Sequence, residues 1–237
     1  MAGITDAAFL NKVIPYGFDV ATLGGFNLDS PTITACQEIL NRGRKEFCFD
    51  EDIIFEHIEH EVADIKEVHP NVLVSCNVRS TTPEPIIKAS KTKDLDIIEV
   101  NCHCRQQELL DIGCGQNMLK RPDFEDFIKK VVDNAGCDVS VKIRANVPEV
   151  DTLKIASIVD DAGVDYLHVD AMAPGIRDAD YDLLRNIVNN TTDVRVIGNN
   201  SVNSANQAKK MMNTGVFGFS IARAVISGNL TFNLSDF

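Results

Sequence analysis

Hydrophobic residues recur along the chain in two alternating rhythms. Short, nearly continuous apolar runs have the pattern of strands buried on both faces of a parallel sheet. They occur at FDVATLG (18–24), NVLVSCNV (71–78), LDIIEV (95–100), DVSVKI (138–143), DYLHVD (165–170), DVRVIGN (193–199) and FGFSIAR (217–223). Between them apolar residues return every three or four positions, as on one face of a helix. This spacing predicts helices over 31–41, 53–67, 123–134, 152–163, 180–189 and 204–213, with a further helix opened by Pro83. In 53–67 the residues Ile53, Ile54, Ile58, Val62 and Ile65 share one face. Asp151 and Ser204 are placed to cap their helices, and Gly163 to end one.

Strands and helices alternating at this spacing leave two architectures, a doubly wound open sheet or a (β/α)8 TIM barrel. The barrel requires an eighth strand. Only Met1, Ala2 and Gly3, ahead of Thr5, are placed to supply it, so the first strand is expected to be short or truncated. The length of 237 residues suits a single barrel domain over 1–237, and no linker or repeat interrupts it.

Composition narrows the function classes. Hydrophobic residues at 44% and charged residues at 24% are ordinary for a soluble globular protein. No apolar run approaches the roughly 20 residues of a membrane span, and MAGITDAAFL lacks the pattern of a signal peptide. A cytoplasmic location without membrane contact is therefore expected. Seven cysteines, an odd number in so long a chain, argue against a disulfide framework. The net charge of −12 opposes binding to phosphodiester backbones unless cations cluster locally. The sequence does not indicate an oligomeric state.

In a barrel, reacting groups come from the C-terminal ends of strands. Those ends here carry Met1–Gly3, Asn77, Asn101 to Cys104, Lys142 with Arg144, His168, Gly198 to Asn200, and Ala222 with Arg223. IGNN (197–200) offers main chain to an anion, and IARA (221–224) adds a guanidinium beside it. Each residue alone also has an ordinary reading: a rim lysine, a structural histidine, a turn glycine. The run VNCHCRQQELLDIGCG raises zinc as well. Adjacent residues rarely converge on one tetrahedral ion, however, and paired C-x2-C knuckles are absent.

In this order the strand-end motifs resemble the dihydrouridine synthases, flavin-dependent (β/α)8 barrels. MAGITDAAF is similar to the family's PMAG-(V/I)-TD-x-x-F, and SVKIR to V-(S/T)-V-K-x-R. VNCHC–(x9)–GCG resembles NxGCP–(x9)–GAG, and NVRSTTPEP resembles QLxGSDPE. LHVD falls where the family has VHGR, while GNN and ARAVISGN resemble NGD and GRGxxGNP. The resemblance implies FMN as cofactor, with NAD(P)H as a candidate electron donor. It places Cys104 on the proton-donating cysteine. Met1, Ala2, Gly3, Asn77, Lys142 and His168 fall on flavin-lining positions, and Gly198, Asn199, Asn200, Ala222 and Arg223 on the phosphate loops. Asn101, His103 and Arg144 fall on the substrate side. Cys102 and Cys114 are expected to be packing residues.

The departures are specific. Arg105 follows Cys104 where the family has proline, and Asp170 stands where it has arginine after its histidine. The chain also ends shortly after the last motif, where such enzymes continue into a helical tRNA-gripping domain. Together with the charge, this turns the expectation away from tRNA and toward a small-molecule or nucleotide substrate. Two further readings stand beside the first. One is a dihydroorotate-dehydrogenase-like enzyme on a free small molecule; the other is a degenerate barrel that binds a phosphate-bearing ligand without redox activity.

Overall fold

A computed structural model describes residues 1–227, 229–234 and 237. Seven strands form one parallel sheet in sequence order: β1 (Val20–Asn27), β2 (Leu73–Arg79), β3 (Ile97–Cys102), β4 (Asp138–Arg144), β5 (Tyr166–Asp170), β6 (Arg195–Asn199) and β7 (Gly218–Phe219). The sheet curls around its own interior, and β1 to β6 are each followed by one or more helices on the outer face, while β7 is followed by a short 3-10 turn. Nine α-helices lie among the described residues: α1 (Ala7–Val13), α2 (Ser30–Asn41), α3 (Ile54–Val68), α4 (Pro83–Ala89), α5 (Gln107–Asp111), α6 (Phe124–Asn134), α7 (Thr152–Asp161), α8 (Tyr181–Asn190) and α9 (Ala205–Met212). None of the described helices is long and apolar enough to cross a membrane.

Local sequence explains most boundaries. Asp151 accepts from the main-chain N–H groups of Leu153 and Lys154, and Ser204 from that of Gln207, as the capping pattern implies. Gly163 ends its helix at φ +79°. Helix α3 buries Ile54, Ile58, Val62 and Ile65 completely, each contributing about 1.5–3 kcal/mol of hydrophobic stabilisation. Ile53, by contrast, lies ahead of that helix and is 49% exposed.

Three differences from expectation matter for the site. Residues 1–5 do not form a strand. The N–H groups of Ile4 and Thr5 both return to the Met1 carbonyl, closing a tight turn, and only Thr5 bridges Gly24 of β1, antiparallel. Gly3, at φ +68°, rests on the main chain of Lys45 and Glu46 with no room for a Cβ. The described sheet therefore has seven strands, and Met1–Thr5 lies as a turn against the end of β1. In the run FGFSIAR only Gly218 and Phe219 form strand β7, with the N–H groups of Phe217 and Ser220 reaching the Val196 and Gly198 carbonyls of β6 on either side. Finally, α5 and a 3-10 turn at Gly115–Lys120 occupy a stretch that periodicity leaves blank.

The register aligns the strands so that alternate residues form layers inside the sheet. Asn77 lies beside Glu99 and Glu99 beside Ser140; Asn101 lies beside Lys142 and Lys142 beside His168; Arg144 lies beside Asp170 and Asp170 beside Asn199. With a side-chain period of two, all of these share the interior face near the strands' C-terminal ends.

Candidate functional site

A single buried carboxylate organises the mouth. Glu99 on β3 is 3% exposed; its Oε1 accepts from Asn77 Nδ2 at 2.8 Å, and its Oε2 meets His168 Nδ1 at 2.7 Å and Ser140 Oγ at 3.2 Å. Burial acts to raise its pKa. The charge of Lys142 and the hydrogen bonds from His168 and Asn77 overcome that and hold the carboxyl well below the ordinary range. Glu99 is ionised and can only accept.

That property sets every neighbour's orientation. Asn77 must turn its amide N–H₂ to Glu99, so its oxygen receives Asn101 Nδ2 at 2.8 Å. The Asn101 oxygen then accepts the main-chain N–H groups of His103 (3.2 Å) and Cys104 (3.0 Å). On the other side His168 carries its proton on Nδ1. Its Nε2 accepts from Ser220 Oγ at 2.7 Å, and Ser220 Oγ accepts from Asn199 Nδ2 at 2.6 Å. Burial first, then Lys142, lowers the His168 pKa despite Glu99, so the ring is neutral. One line of hydrogen bonds centred on Glu99 thus runs from the Cys104 main chain through β3, β2 and β5 to Ser220, just past β7, and Asn199 of β6.

The structure brings most of the expected residues to this mouth but gives them different freedom. Asn77, Asn101 and His168 are buried and committed to the line. Among the described residues Lys142 makes no ion pair or side-chain hydrogen bond, and it is only half-buried. Arg144 Nη1 lies 3.4 Å from Asp170 Oδ2, and His103 Nε2 lies 3.7 Å from the same oxygen. The pKa of His103 lies well below the ordinary value, through burial first and then the charges of Lys142 and Arg144.

Cys104 is 8% exposed and backs onto Ala35, Ile39, Leu109 and Cys114. Its carbonyl accepts from Gln116 N–H at 2.8 Å, and a Cβ on Gly115, whose φ is +59°, would collide with that carbonyl oxygen. The GCG segment therefore supports the thiol from beneath. Cys114 Sγ packs 3.4 Å from the Ser80 carbonyl, and Cys102 Sγ 3.4 Å from Met118 Sδ; both are buried. Among the described residues no three His, Cys, Asp or Glu side chains are grouped to hold a metal.

The phosphate loops are mixed. Asn200 and Ser201 follow β6 at φ +107° and +56°, a strained turn of the kind found at ligand sites. Gly198 faces the other way: a Cβ there would strike Met211 of α9, so its smallness serves helix packing. Half-buried Ala222 precedes exposed Arg223, which opens a short 3-10 turn and has no side-chain partner among the described residues. Gly228 of ARAVISGN lies outside the described residues.

Sequence reasoning passed over Glu99, Ser220, Arg79 and Glu46. Arg79 Nη1 lies 3.0 Å from Glu46 Oε2, both almost fully buried, and this pair ties the end of β2 to the segment under Gly3. The signal for Glu99 was present: glutamate inside IIEV, in step with Asn101, marks the interior face of a strand.

Comparison with known proteins bears on the family and the fold. The family model for dihydrouridine synthase (Dus) matches residues 34–233. An uncharacterized protein of Methanocaldococcus jannaschii is 37% identical over 234 residues, 97% of this chain and 88% of that protein. The tRNA-dihydrouridine synthase B of Shewanella oneidensis is 25% identical over 235 residues, 94% of this chain and 65% of that one. A human tRNA-dihydrouridine(20a/20b) synthase-like protein is 26% identical over 142 residues, 57% of this chain and 44% of its own. The chain thus spans under two thirds of these two synthases. Among solved structures, phosphoribosyl anthranilate isomerase of Thermus thermophilus superposes with a TM-score of 0.57 at 14% identity, covering 94% of this chain and 86% of that one. It shows a likeness of fold alone.

Proposed function

The chain belongs to the dihydrouridine synthase family, and from that premise we propose that it is a cytoplasmic FMN-dependent oxidoreductase acting on the C5=C6 bond of a uracil ring carried by a polynucleotide. The observation that carries this reading is a convergence in one mouth. An unpaired ammonium (Lys142), a fixed hydrogen-bonded floor (Glu99, Asn77, Asn101, His168) and a thiol anchored to that floor (Cys104) all meet there.

These residues fit the flavin. Lys142 would hold the electron-rich edge of its ring, with Met1–Gly3 lining it. Asn199, Asn200 and Arg223 would hold its phosphate. Gly198 and His168 would act from behind, since the first packs on Met211 and the second has both ring nitrogens engaged. Bound there, FMN supplies the hydride, with NAD(P)H as the electron source. Cys104 donates its Sγ proton to the ring carbon next to the hydride acceptor, and the resulting thiolate is reprotonated from water. A thiol suits this because its ordinary pKa of about 8.5 keeps it protonated yet able to give the proton up. Asn101 orients the loop that carries the thiol, and Arg144 and His103 face the substrate. In this reading Met1–Thr5 takes the place of the barrel's first strand.

The polynucleotide part rests on charge placement. Lys45, Arg105, Arg177 and Arg223 are exposed on segments around the strands' C-terminal ends and, among the described residues, have no ion-pair partner. The test is to supply FMN, NADPH and an unmodified tRNA transcript and to measure dihydrouridine. The parent protein should be yellow and active. Cys104→Ala should keep the flavin and lose about 10²–10⁴ in rate, the usual worth of a positioned acid. Protein that takes up no FMN, or a Cys104→Ala variant as fast as the parent, would refute the proposal.

A further inference from the structure

Two histidines reach the mouth, and their surroundings differ. His168 is fully provided for, with Glu99 on one ring nitrogen and Ser220 on the other. A ligand can bond to it only by displacing one of them. His103 has neither: Nε2 is 3.7 Å from Asp170 Oδ2, beyond hydrogen-bond reach, and Nδ1 is enclosed without a partner among the described residues. Enclosed polar atoms left unpaired are rare and costly, so a ring without a bond at either edge points to a ligand group that completes it. The side chain is 31% exposed, so the ring borders the opening of the mouth.

The neighbours decide which kind of group. Lys142 and Arg144 disfavour a second proton on the ring, which is therefore neutral, with one N–H and one lone pair. Asp170 Oδ2, 3.7 Å from Nε2, favours the N–H on that edge, leaving Nδ1 as an acceptor. Both residues depart from the family pattern, His103 standing at the glycine of NxGCP and Asp170 at the arginine of VHGR. We propose, resting on the function proposed above, that His103 is a specificity-determining residue whose Nδ1 accepts a hydrogen bond from a ring N–H of the substrate pyrimidine, with Asp170 and Arg144 holding its other edge. Uracil offers an N–H at ring position 3, where cytosine offers a lone pair. The mouth should therefore separate the two bases.

Calorimetric titration of the full-length protein with uridine and cytidine 5′-monophosphates tests this without turnover. The parent should prefer the uridine nucleotide by about tenfold or more, the worth of one hydrogen bond to an otherwise unpaired buried acceptor. His103→Phe keeps a flat ring of similar size and should bring the preference within about twofold, while His103→Gln, which retains an acceptor, should keep part of it. Thermal melting reports whether each variant folds; if the phenylalanine variant does not, the glutamine variant carries the test beside His103→Asn, whose shorter amide should lose the preference. A parent that binds both nucleotides alike, or neither, overturns the proposal, as does a folded His103→Phe that still discriminates. Preference for uridine in protein that takes up no FMN would sustain the role of His103 and remove the flavin; FMN uptake without preference would do the reverse.

Discussion

Replacing Glu99 with glutamine changes one atom and should destabilise the protein out of proportion to that change. The carboxylate accepts from Asn77 Nδ2, His168 Nδ1 and Ser140 Oγ. A glutamine has one oxygen, so its amide N–H₂ must confront either Asn77 or His168, and at least one buried donor loses its partner. Each such loss costs about 1–3 kcal/mol. One orphaned donor, plus the loss of charge assistance on the remaining bonds, gives about 2–4 kcal/mol. At the 2–4 °C per kcal/mol typical of chains of 150–250 residues, the melting temperature should fall by roughly 5–15 °C. The pH dependence supplies a second sign. Because the folded-state pKa is depressed, the carboxylate's contribution is fully present above the unfolded value of about 4.3 and is lost as pH falls through the folded value. The gap between parent and Glu99→Gln should thus be constant near neutrality and narrow below about pH 4. Thermal and urea melts at neutral and acid pH measure both effects. A gap within about 1 kcal/mol at neutral pH, or one that widens on acidification, would refute the assignment of Glu99 as the ionised hub.

Two other perturbations follow from the same geometry. Gly115→Ala should cost at least about 1–2 kcal/mol from the left-handed conformation alone, more from its collision with the Cys104 carbonyl, and should slow proton donation by displacing the thiol; melts and single-turnover rates check both, and an unchanged rate would separate the GCG segment from the chemistry. Lys45→Ala and Arg105→Ala should each weaken RNA binding and reduce the slope of log affinity against log salt by about 0.7–0.9; unchanged slopes would place RNA elsewhere or nowhere on this face.

How much of this is legible in the sequence follows from what each signal encodes. Hydrophobic runs located all seven described strands, because burial on both faces leaves a strong local trace at Val74–Val78 or Val139–Val141. The same reading treated LDIIEV as simply apolar and so passed over Glu99. The register that pairs it with Asn77 and Ser140 is a property of three strands, not of one. Strand-end reasoning placed Cys104, Lys142 and His168 at one mouth. It could not tell that His168 is closed off while His103 is not, since Ser220 lies 52 positions away. Gly198 adds a use that strand-end reasoning could not see: beside the anion loop it suggests, its lack of a side chain makes room for Met211. Residues 1–5 defeated the search for an eighth strand because a main-chain turn around Met1, not a side-chain pattern, decides their shape.

The net charge of −12 is weaker evidence against an RNA substrate than its size suggests. At physiological ionic strength a charge is felt over about 8 Å, so carboxylates on distant helices do not govern the mouth. Many of the chain's cations are also neutralised locally, as in Lys66–Asp96, Lys129–Asp133, Lys120–Glu149 and Arg195 beside Asp138 and Asp165. Lys12, Lys91, Lys154 and Lys209 have no ion-pair partner among the described residues either, but they are dispersed over separate segments. Lys45, Arg105, Arg177 and Arg223 are different, because they are exposed on segments that follow β1, β3, β5 and β7, toward the strands' C-terminal ends. Of the acids near Lys142, Asp170 is held between Arg144 and His103, and Glu99 is engaged by Asn77, Ser140 and His168. A phosphodiester approaching this rim meets unpaired cations first and the repelling surface only at a distance where salt has screened it. On the proposed function, the face that would carry the chemistry is thus the one where a polyanion can land.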